Sequence, residues 1–419
     1  MTKLIPTVLG TLSRDGWLLF VTRFVRLFAY GSLSVILVFY LIALGLTEAQ
    51  AGLVLTLTLV GDVMVSLYLT TRADRIGRRR MLIVGSVLMA AAGLAFACTS
   101  NLLFLVIAGT IGVISPSGHE VGPFLSIEQA ALSHIVPAAA RTQIFAWYTL
   151  AGSLATALGA LSGGGLTQAM QHTAMTQVQS YRAVVFLYAA LGVALAFLFL
   201  RLSTSVEVSP ASNGPVLSSS VANLFGIARS RSVVLKLSGL FALDSFAGGF
   251  VVQSFAAYWF YLRFDVQPAT LGAIFFWANV FAGISALLAS RLAARIGLIR
   301  TMVVTHLPSN VLLILVPLMP NLSLAVVILL LRFSISQMDV PTRQSYTMAV
   351  VPAEERSAAG GFTGVARTTG AAISPLLAGF LFARPSLISL PFFIAGALKV
   401  FYDLLLYFAF RKLRPPEES

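Results

Sequence analysis

The feature that most limits what this chain can become is a series of twelve apolar runs, each of about 20 residues or more, divided by short loops where the arginines gather. The runs fall at residues 17–45, 50–71, 81–98, 102–124, 142–167, 182–201, 233–262, 268–290, 300–319, 322–345, 359–383 and 386–410. In hydrocarbon a segment must satisfy its own backbone hydrogen bonds, so each run is predicted to be a membrane-spanning helix. Water is excluded as the general solvent. Charged residues are 10% of the 419, against about 25% in a soluble domain, too few to cover a body of this size.

The net charge of +13 would suggest nucleic acid in a soluble protein. Here the basic residues lie between apolar runs and carry topology instead, so no nucleic-acid partner is expected. One side of the predicted membrane collects Arg72, Arg75, Arg78, Arg79, Arg80, Arg141, Arg201, Arg229, Arg231, Lys236, Arg291, Arg295, Arg300, Arg343 and Arg356, with Lys3, Arg14, Arg411, Lys412 and Arg414 at the termini. The other side holds Arg182, Arg263 and Arg384. The positive-inside rule then puts both termini in the cytoplasm of an inner or plasma membrane protein. Met1 to Gly16 lacks the short apolar core and cleavage site of a signal peptide and is read as a retained interfacial segment. The single Cys98 excludes an internal disulfide, and four histidines without HExxH or CxxC spacing give no metal site; no cofactor and no enzyme activity are expected.

The chain repeats. Ala73-Asp74-Arg75-Ile76-Gly77 recurs as Ala293-Ala294-Arg295-Ile296-Gly297, Val136-Pro137-Ala138-Ala139-Ala140-Arg141 as Val351-Pro352-Ala353-Glu354-Glu355-Arg356, and Gly159 to Gly164 as Ser374 to Gly379. The last two matches share an offset of 215 residues, and Arg26 in helix 1 aligns more loosely with Asp244 in helix 7. The Ser-rich stretch 203–230 is too polar to insert and separates an N-terminal six-helix bundle, 1–202, from a C-terminal one, 231–419. The predicted fold is therefore all-α and membrane-integral, twelve transmembrane helices in two pseudo-symmetric six-helix bundles, the architecture of rocking secondary transporters.

With these features the sequence resembles the major facilitator superfamily (MFS) along essentially its whole length. Ala73-Asp74-Arg75-Ile76-Gly77-Arg78-Arg79-Arg80 is similar to that superfamily's motif A, GxLADRxGRRR, with Thr70 at the first glycine and Arg72 at the leucine. The resemblance implies a gating role for Asp74, Arg75, Gly77, Arg78 and Arg79. Physically, Gly77 permits a turn at positive φ, and Asp74 can accept from the open amides of a helix start. Gly159-Ala160-Leu161-Ser162-Gly163-Gly164 is similar to motif C of the drug/proton antiporter branch, with Ala160 for proline, and a small-residue face also serves close helix packing. The arginine of the branch's helix 4 has no counterpart there, the similar position being Arg332 in helix 10.

A charge at mid-bilayer costs about 2.5–3.5 kcal/mol on insertion scales, so a charge that survives there faces a cavity or a partner. Arg26, Asp62, Glu120, Asp244, Arg332, Asp339 and Arg367 are the candidates for substrate binding and coupling. Asp62 is flanked by Thr58 and Ser66 on one helical face and is the first candidate for a protonatable group. Arg367 needs an acid or an anionic substrate, and Asp244 is expected to face Arg26. Lys399 and Asp403, four apart on helix 12, are expected to neutralise each other. Two segments, Ser115 to Pro123 and Gln337 to Pro341, break helices 4 and 10, each with an acid two residues before a glycine or proline. They point to a site or gate, or to plain helix ends. The reading is a monomeric secondary transporter, among membrane lipid, of a small organic solute, by proton-coupled efflux. Uptake or facilitated diffusion of an organic anion, or a non-transporting receptor on the same fold, is the alternative.

Overall fold

The structure, a computed structural model, describes residues 10, 12–118, 123–173, 175–207, 230–352, 355–411 and 413; of Asp74, 138–142, 357 and 358 only the backbone is described. The described residues form α-helices and short 3-10 turns, without a strand. The helices are α1 (Arg14–Ala43), α2 (Glu48–Ile76), α3 (Arg78–Cys98), α4 (Leu102–Ile111), α5 (Phe124–Ile135), α6 (Ala138–His172), α7 (Gln177–Leu200), α8 (Arg231–Gly249), α9 (Gln253–Phe264), α10 (Pro268–Ile296), α11 (Leu298–Leu315), α12 (Leu322–Ser336), α13 (Asp339–Ala349), α14 (Arg356–Phe382) and α15 (Leu390–Phe410). Among the described residues, 11 helical stretches are long and apolar enough to cross a membrane, and Leu102–Ile111 is a shorter apolar helix. Large apolar side chains face outward, as lipid allows: Met64 is 66% exposed and Phe408 63%.

Three predicted spans are not single helices. Helix 4 stops at Ile111 and resumes as α5, Phe124–Ile135, where the sequence reading had a loop. Helix 10 breaks between α12 and α13 at Gln337 and Met338, where the break was expected. Helix 7, expected to be continuous over 233–262, divides into α8 and α9. The cause is local. Ser374 Oγ takes the Phe246 carbonyl at 2.5 Å, and Phe250 N turns to Ala247 O instead. Gly249 permits the approach, since a Cβ there would lie 2.3 Å from Ser374 Oγ.

The chain divides into two compact units. Unit 1 comprises Met1–Thr47, Leu57–Gly214 and Val266–Phe276; unit 2 comprises Glu48–Thr56, Pro215–Asp265 and Trp277–Ser419. In unit 1, α1 lies along α6 backbone to backbone: Cβ atoms on Gly159 and Gly163 would meet the Phe28 and Ser32 carbonyl oxygens at 2.1 and 2.3 Å. The segment similar to motif C thus serves close packing. In unit 2, α8 lies along α14 in the same way, with Gly370 against the Ala242 carbonyl. The third and sixth spans of each repeat also pack together, α3 on α7 through Gly93 and Gly192, and α11 on α15 through Gly396. The internal repeat in sequence is thereby a repeat in packing.

Candidate functional site

In unit 1 the charged centre is Glu128 on α5. Its two oxygens receive Arg26 Nη1 and Nη2, each at 2.7 Å, a fork-to-fork pair with both side chains 0% exposed. Thr22 Oγ1 donates to the same carboxylate at 3.0 Å, and the Tyr148 hydroxyl donates from α6. Phe124, one turn before Glu128, lies under the Arg26 guanidinium at 4.6 Å, while Arg23 covers the Tyr148 ring at 4.4 Å. Helices α1, α5 and α6 are therefore joined by one carboxylate. Asp62 on α2 is buried and accepts from Ser66 Oγ at 3.3 Å. Its face packs on α4, where a Cβ on Gly61 would strike the Thr110 carbonyl and one on Gly109 would strike Thr58 Oγ1.

In unit 2 the charges form a network. Asp244 on α8 receives Lys399 Nζ from α15 at 2.5 Å on Oδ1 and Arg343 Nη1 from α13 at 3.0 Å on Oδ2. Arg343 Nη1 also reaches Asp339 Oδ2, one turn earlier, at 3.4 Å. His306 on α11 stands between two acids, with Nδ1 2.8 Å from Asp403 Oδ1 and Nε2 3.7 Å from Asp244 Oδ1. Asn310 Nδ2 donates to the other Asp403 oxygen at 2.8 Å. These six charged or titratable side chains are all buried.

The pairings within each unit are other than those expected. Arg26 pairs with Glu128 within unit 1, and Asp244 takes Arg343, Lys399 and His306 within unit 2. Lys399 does not neutralise Asp403, because α15 is turned so that Lys399 reaches Asp244 while Asp403 meets His306 and Asn310 of α11. Arg343, placed by the sequence in a cytoplasmic loop, is 4% exposed inside α13, because helix 10 continues past its break. Glu128 and His306 were not among the candidates. Glu128 lies on a helix of 12 residues, too short to be read as a span of its own, and His306 is a single histidine in an apolar run with no metal-ligand spacing around it. The 215-residue offset does project Glu128 onto Arg343, and Thr301, Thr305, His306, Ser309 and Asn310 give α11 a polar face that could have drawn attention.

Arg332 on α12 and Arg367 on α14 differ from the rest. Each has an Nε that is buried without a hydrogen-bond partner, as Arg343 also has, but unlike Arg343 neither joins an ion pair among the described residues. Both lie within coulombic reach of Asp244 and Asp339, and Arg367 also of Arg343. They border the network with donors to spare.

The motif A segment turns at Gly77 and is closed by a carboxylate from another part of the chain. Gly77 has φ 117°, and the open amides of α3 are taken by Glu207: Arg78 N donates at 2.7 Å and Arg79 N at 3.1 Å. The capping carboxylate thus comes from beyond helix 6; the Asp74 side chain lies outside the described residues. Arg78 Nη1 and Arg79 Nη2 donate to the Val206 and Leu200 carbonyls, and Arg75 is exposed. Glu120 and His119 also lie outside the described residues. Asp244, His306 and Asp339 approach one another closely enough for a cation. Lys399 and Arg343 already hold two of those three side chains, so this donor set is engaged with protein cations.

The sequence matches the family model described as Major Facilitator Superfamily over residues 19–337 and over 259–419. The chain belongs to that superfamily. This MFS chain is 32% identical to the uncharacterized membrane protein YJR124C of Saccharomyces cerevisiae, an alignment covering 94% of this chain and 93% of that one. In fold it is similar to a mutant of the nucleoside transporter NupG, with TM-score 0.77, 12% identity, and 95% and 100% of the two chains covered. A D-xylose-proton symporter gives TM-score 0.69 at 14% identity, over 94% and 97% of the chains. The human organic anion transporter MFSD10 (TETRAN) gives 0.62 at 17% identity, over 94% and 100%. At these identities the solved structures establish the MFS fold, and the chain is a multi-pass membrane transporter of that superfamily.

Proposed function

We propose that this protein carries a small organic anion across a plasma or inner membrane, with proton coupling, by alternating access of its two six-helix repeats. The observation that carries the reading is the pair of guanidinium groups, Arg332 and Arg367, whose buried Nε atoms have no acceptor among the described residues. A buried donor left unmade costs about 1–3 kcal/mol, more for a charged group, so an acceptor that arrives with the solute regains that energy at binding. A carboxylate or phosphate fits the planar fork of arginine. Both termini are assigned to the cytoplasm on the distribution of arginine in the loops, and the working unit to a monomer. Gradients set the direction of a secondary carrier, and efflux follows where the outward driving force is larger.

The test is uptake into proteoliposomes of labelled organic acids beside neutral nucleosides and sugars. Organic acids should enter, with a pH gradient changing the rate, and Arg367→Ala should remove most of that flux. Arg367→Lys keeps the charge and loses the fork; a marked fall in affinity supports two-point recognition. Equal flux of neutral solutes, unaffected by Arg367→Ala, would refute the anion reading.

A further inference from the structure

The unit 2 network contains three carboxylates, Asp244, Asp339 and Asp403, and two permanent cations, Arg343 and Lys399. One negative charge is left over unless His306 is protonated. The imidazole is 5% exposed and held from several helices. Asp403 and the Tyr402 ring, perpendicular to the imidazole, face it from α15, Asp244 from α8, and Asn310 from its own helix, with Asp339 and its partner Arg343 on α13. Lys399 shares the Asp244 oxygen that faces His306; Arg332 and Arg367 border the network from α12 and α14.

The two ring nitrogens are not equivalent. Nδ1 stands 2.8 Å from Asp403 Oδ1 and 3.1 Å from Asn310 Nδ2; the carboxylate is the closer and charged partner, and Asn310 Nδ2 has its own acceptor in Asp403 Oδ2 at 2.8 Å, so Nδ1 keeps its hydrogen in the neutral ring. Nε2 then carries the lone pair, 3.7 Å from Asp244 Oδ1. A lone pair facing a carboxylate is repulsive, and a proton on Nε2 makes the same contact attractive. The exchangeable proton therefore belongs on Nε2, and loading it brings the six-residue network from one net negative charge to neutral.

We propose that His306, oriented by Asp403, is the proton-carrying site of this transporter, and that its proton and the anion at Arg332 and Arg367 favour each other's binding. The proposal rests on the anion reading for its second half only. With Nε2 bare, the network's extra negative charge opposes an anion at the two arginines; with Nε2 protonated that opposition is gone. Linkage requires the reverse as well, so anion binding promotes proton uptake, and the pair moves in one direction across the membrane. The size of such coupling is on the order of tenfold in affinity.

The test uses full-length protein in lipid nanodiscs with isotope-labelled histidine, followed by NMR, and inorganic phosphate, succinate and benzoate as probe anions in thermal-shift titrations. The His306 resonance, assigned by its loss in His306→Gln, should pass between the Nδ1–H tautomer and the imidazolium as pH falls. Should that variant fail to fold, replacing His119, His134 and His172 assigns the same signal by elimination. Asp403→Asn should move the titration toward lower pH, and the probe anions should bind wild type about tenfold more tightly on the acid side. In His306→Gln anion binding should persist with its pH dependence gone. An imidazole that never titrates, or that titrates identically in Asp403→Asn, overturns the proton site whatever the anions do. Anion binding whose pH dependence survives His306→Gln overturns the coupling and leaves the anion reading standing. If no probe anion binds and Arg367→Ala changes nothing, the anion reading and the coupling fall together, and the imidazole titration still decides the proton site.

Discussion

Glu128 and Arg343 stand at equivalent places in the two repeats, 215 residues apart, and carry opposite charges. Each is on the second segment of a broken fourth span, and each binds the first span of its own repeat, Glu128 to Arg26 and Arg343 to Asp244. Since Arg26 and Asp244 are themselves aligned, both halves keep the same tie between first and fourth spans with its polarity reversed. The surroundings differ. Glu128 is fully engaged by one guanidinium and two hydroxyls, whereas Asp244 is shared among two cations and a histidine.

The closed pair in unit 1 should behave as structure. Breaking a buried pair leaves an uncompensated charge at a cost of about 3–5 kcal/mol, so Glu128→Leu should lower the melting temperature sharply or abolish monodisperse protein. Arg26→Leu with Glu128→Leu removes both charges and should recover much of that loss. Size-exclusion profiles and thermal melts of the three variants check this, and a double variant no better than the singles would show that the pair is not the stabilising unit.

Asp244 should show the contrasting pattern. Lys399→Met leaves Arg343 to hold Asp244 and should be the milder change, while Asp244→Asn leaves Lys399 and Arg343 without their shared carboxylate and should be the harsher. Combining Lys399→Met with Asp244→Asn should be less destabilising than Asp244→Asn alone. Melting temperatures in the same detergent decide the order.

The sequence shows the twelve spans and the duplication because both are written in hydropathy and in repeated residues, which lipid and packing enforce locally. It does not show partners. Lys399 and Asp403 sit four apart and look like a pair, yet the rotation of α15 gives them to Asp244 and His306. Helix spacing says which residues share a face; it does not say which neighbouring helix that face meets. Glu128 is hidden for another reason: α5 is only 12 residues long, too short to be read as a span, and the partner that lets its carboxylate be buried, Arg26, is about 100 residues away in sequence.

Close packing of α1 on α6 gives a further test. A Cβ at Gly163 would lie 2.3 Å from the Ser32 carbonyl oxygen, and backbone cannot yield as a side chain does. Overpacking of this kind costs about 1–3 kcal/mol or more, so Gly163→Ala should reduce thermal stability and Gly163→Leu should reduce it further. Gly165 on the same helix has nothing within 4 Å of its added Cβ, and Gly165→Ala should be tolerated. Equal melting of the Gly163 and Gly165 alanine variants would contradict the packing role.

The segment after helix 6 offers a test of the motif A loop that leaves its arginines intact. Glu207 accepts from the amides of Arg78 and Arg79, at the positive end of α3. Upstream, Asp15 on α1 accepts from Ser203 N at 3.1 Å, Ser203 Oγ at 2.5 Å and Ser205 Oγ at 2.6 Å. Two carboxylates thus hold residues 203–207 against the ends of α1 and α3. Removing a helix cap costs about 0.5–2 kcal/mol, so Glu207→Ala should lower the melting temperature modestly. Membrane insertion should be unchanged, because the basic residues that set topology remain. Limited proteolysis should cut after Arg201 faster in Glu207→Ala, and faster still when Asp15→Asn is added. If the loop also gates transport, flux should fall in step with the rise in cleavage. Unchanged melting and cleavage in the double variant would show that these two carboxylates do not hold the segment, and the arginines would then account for the loop through topology alone.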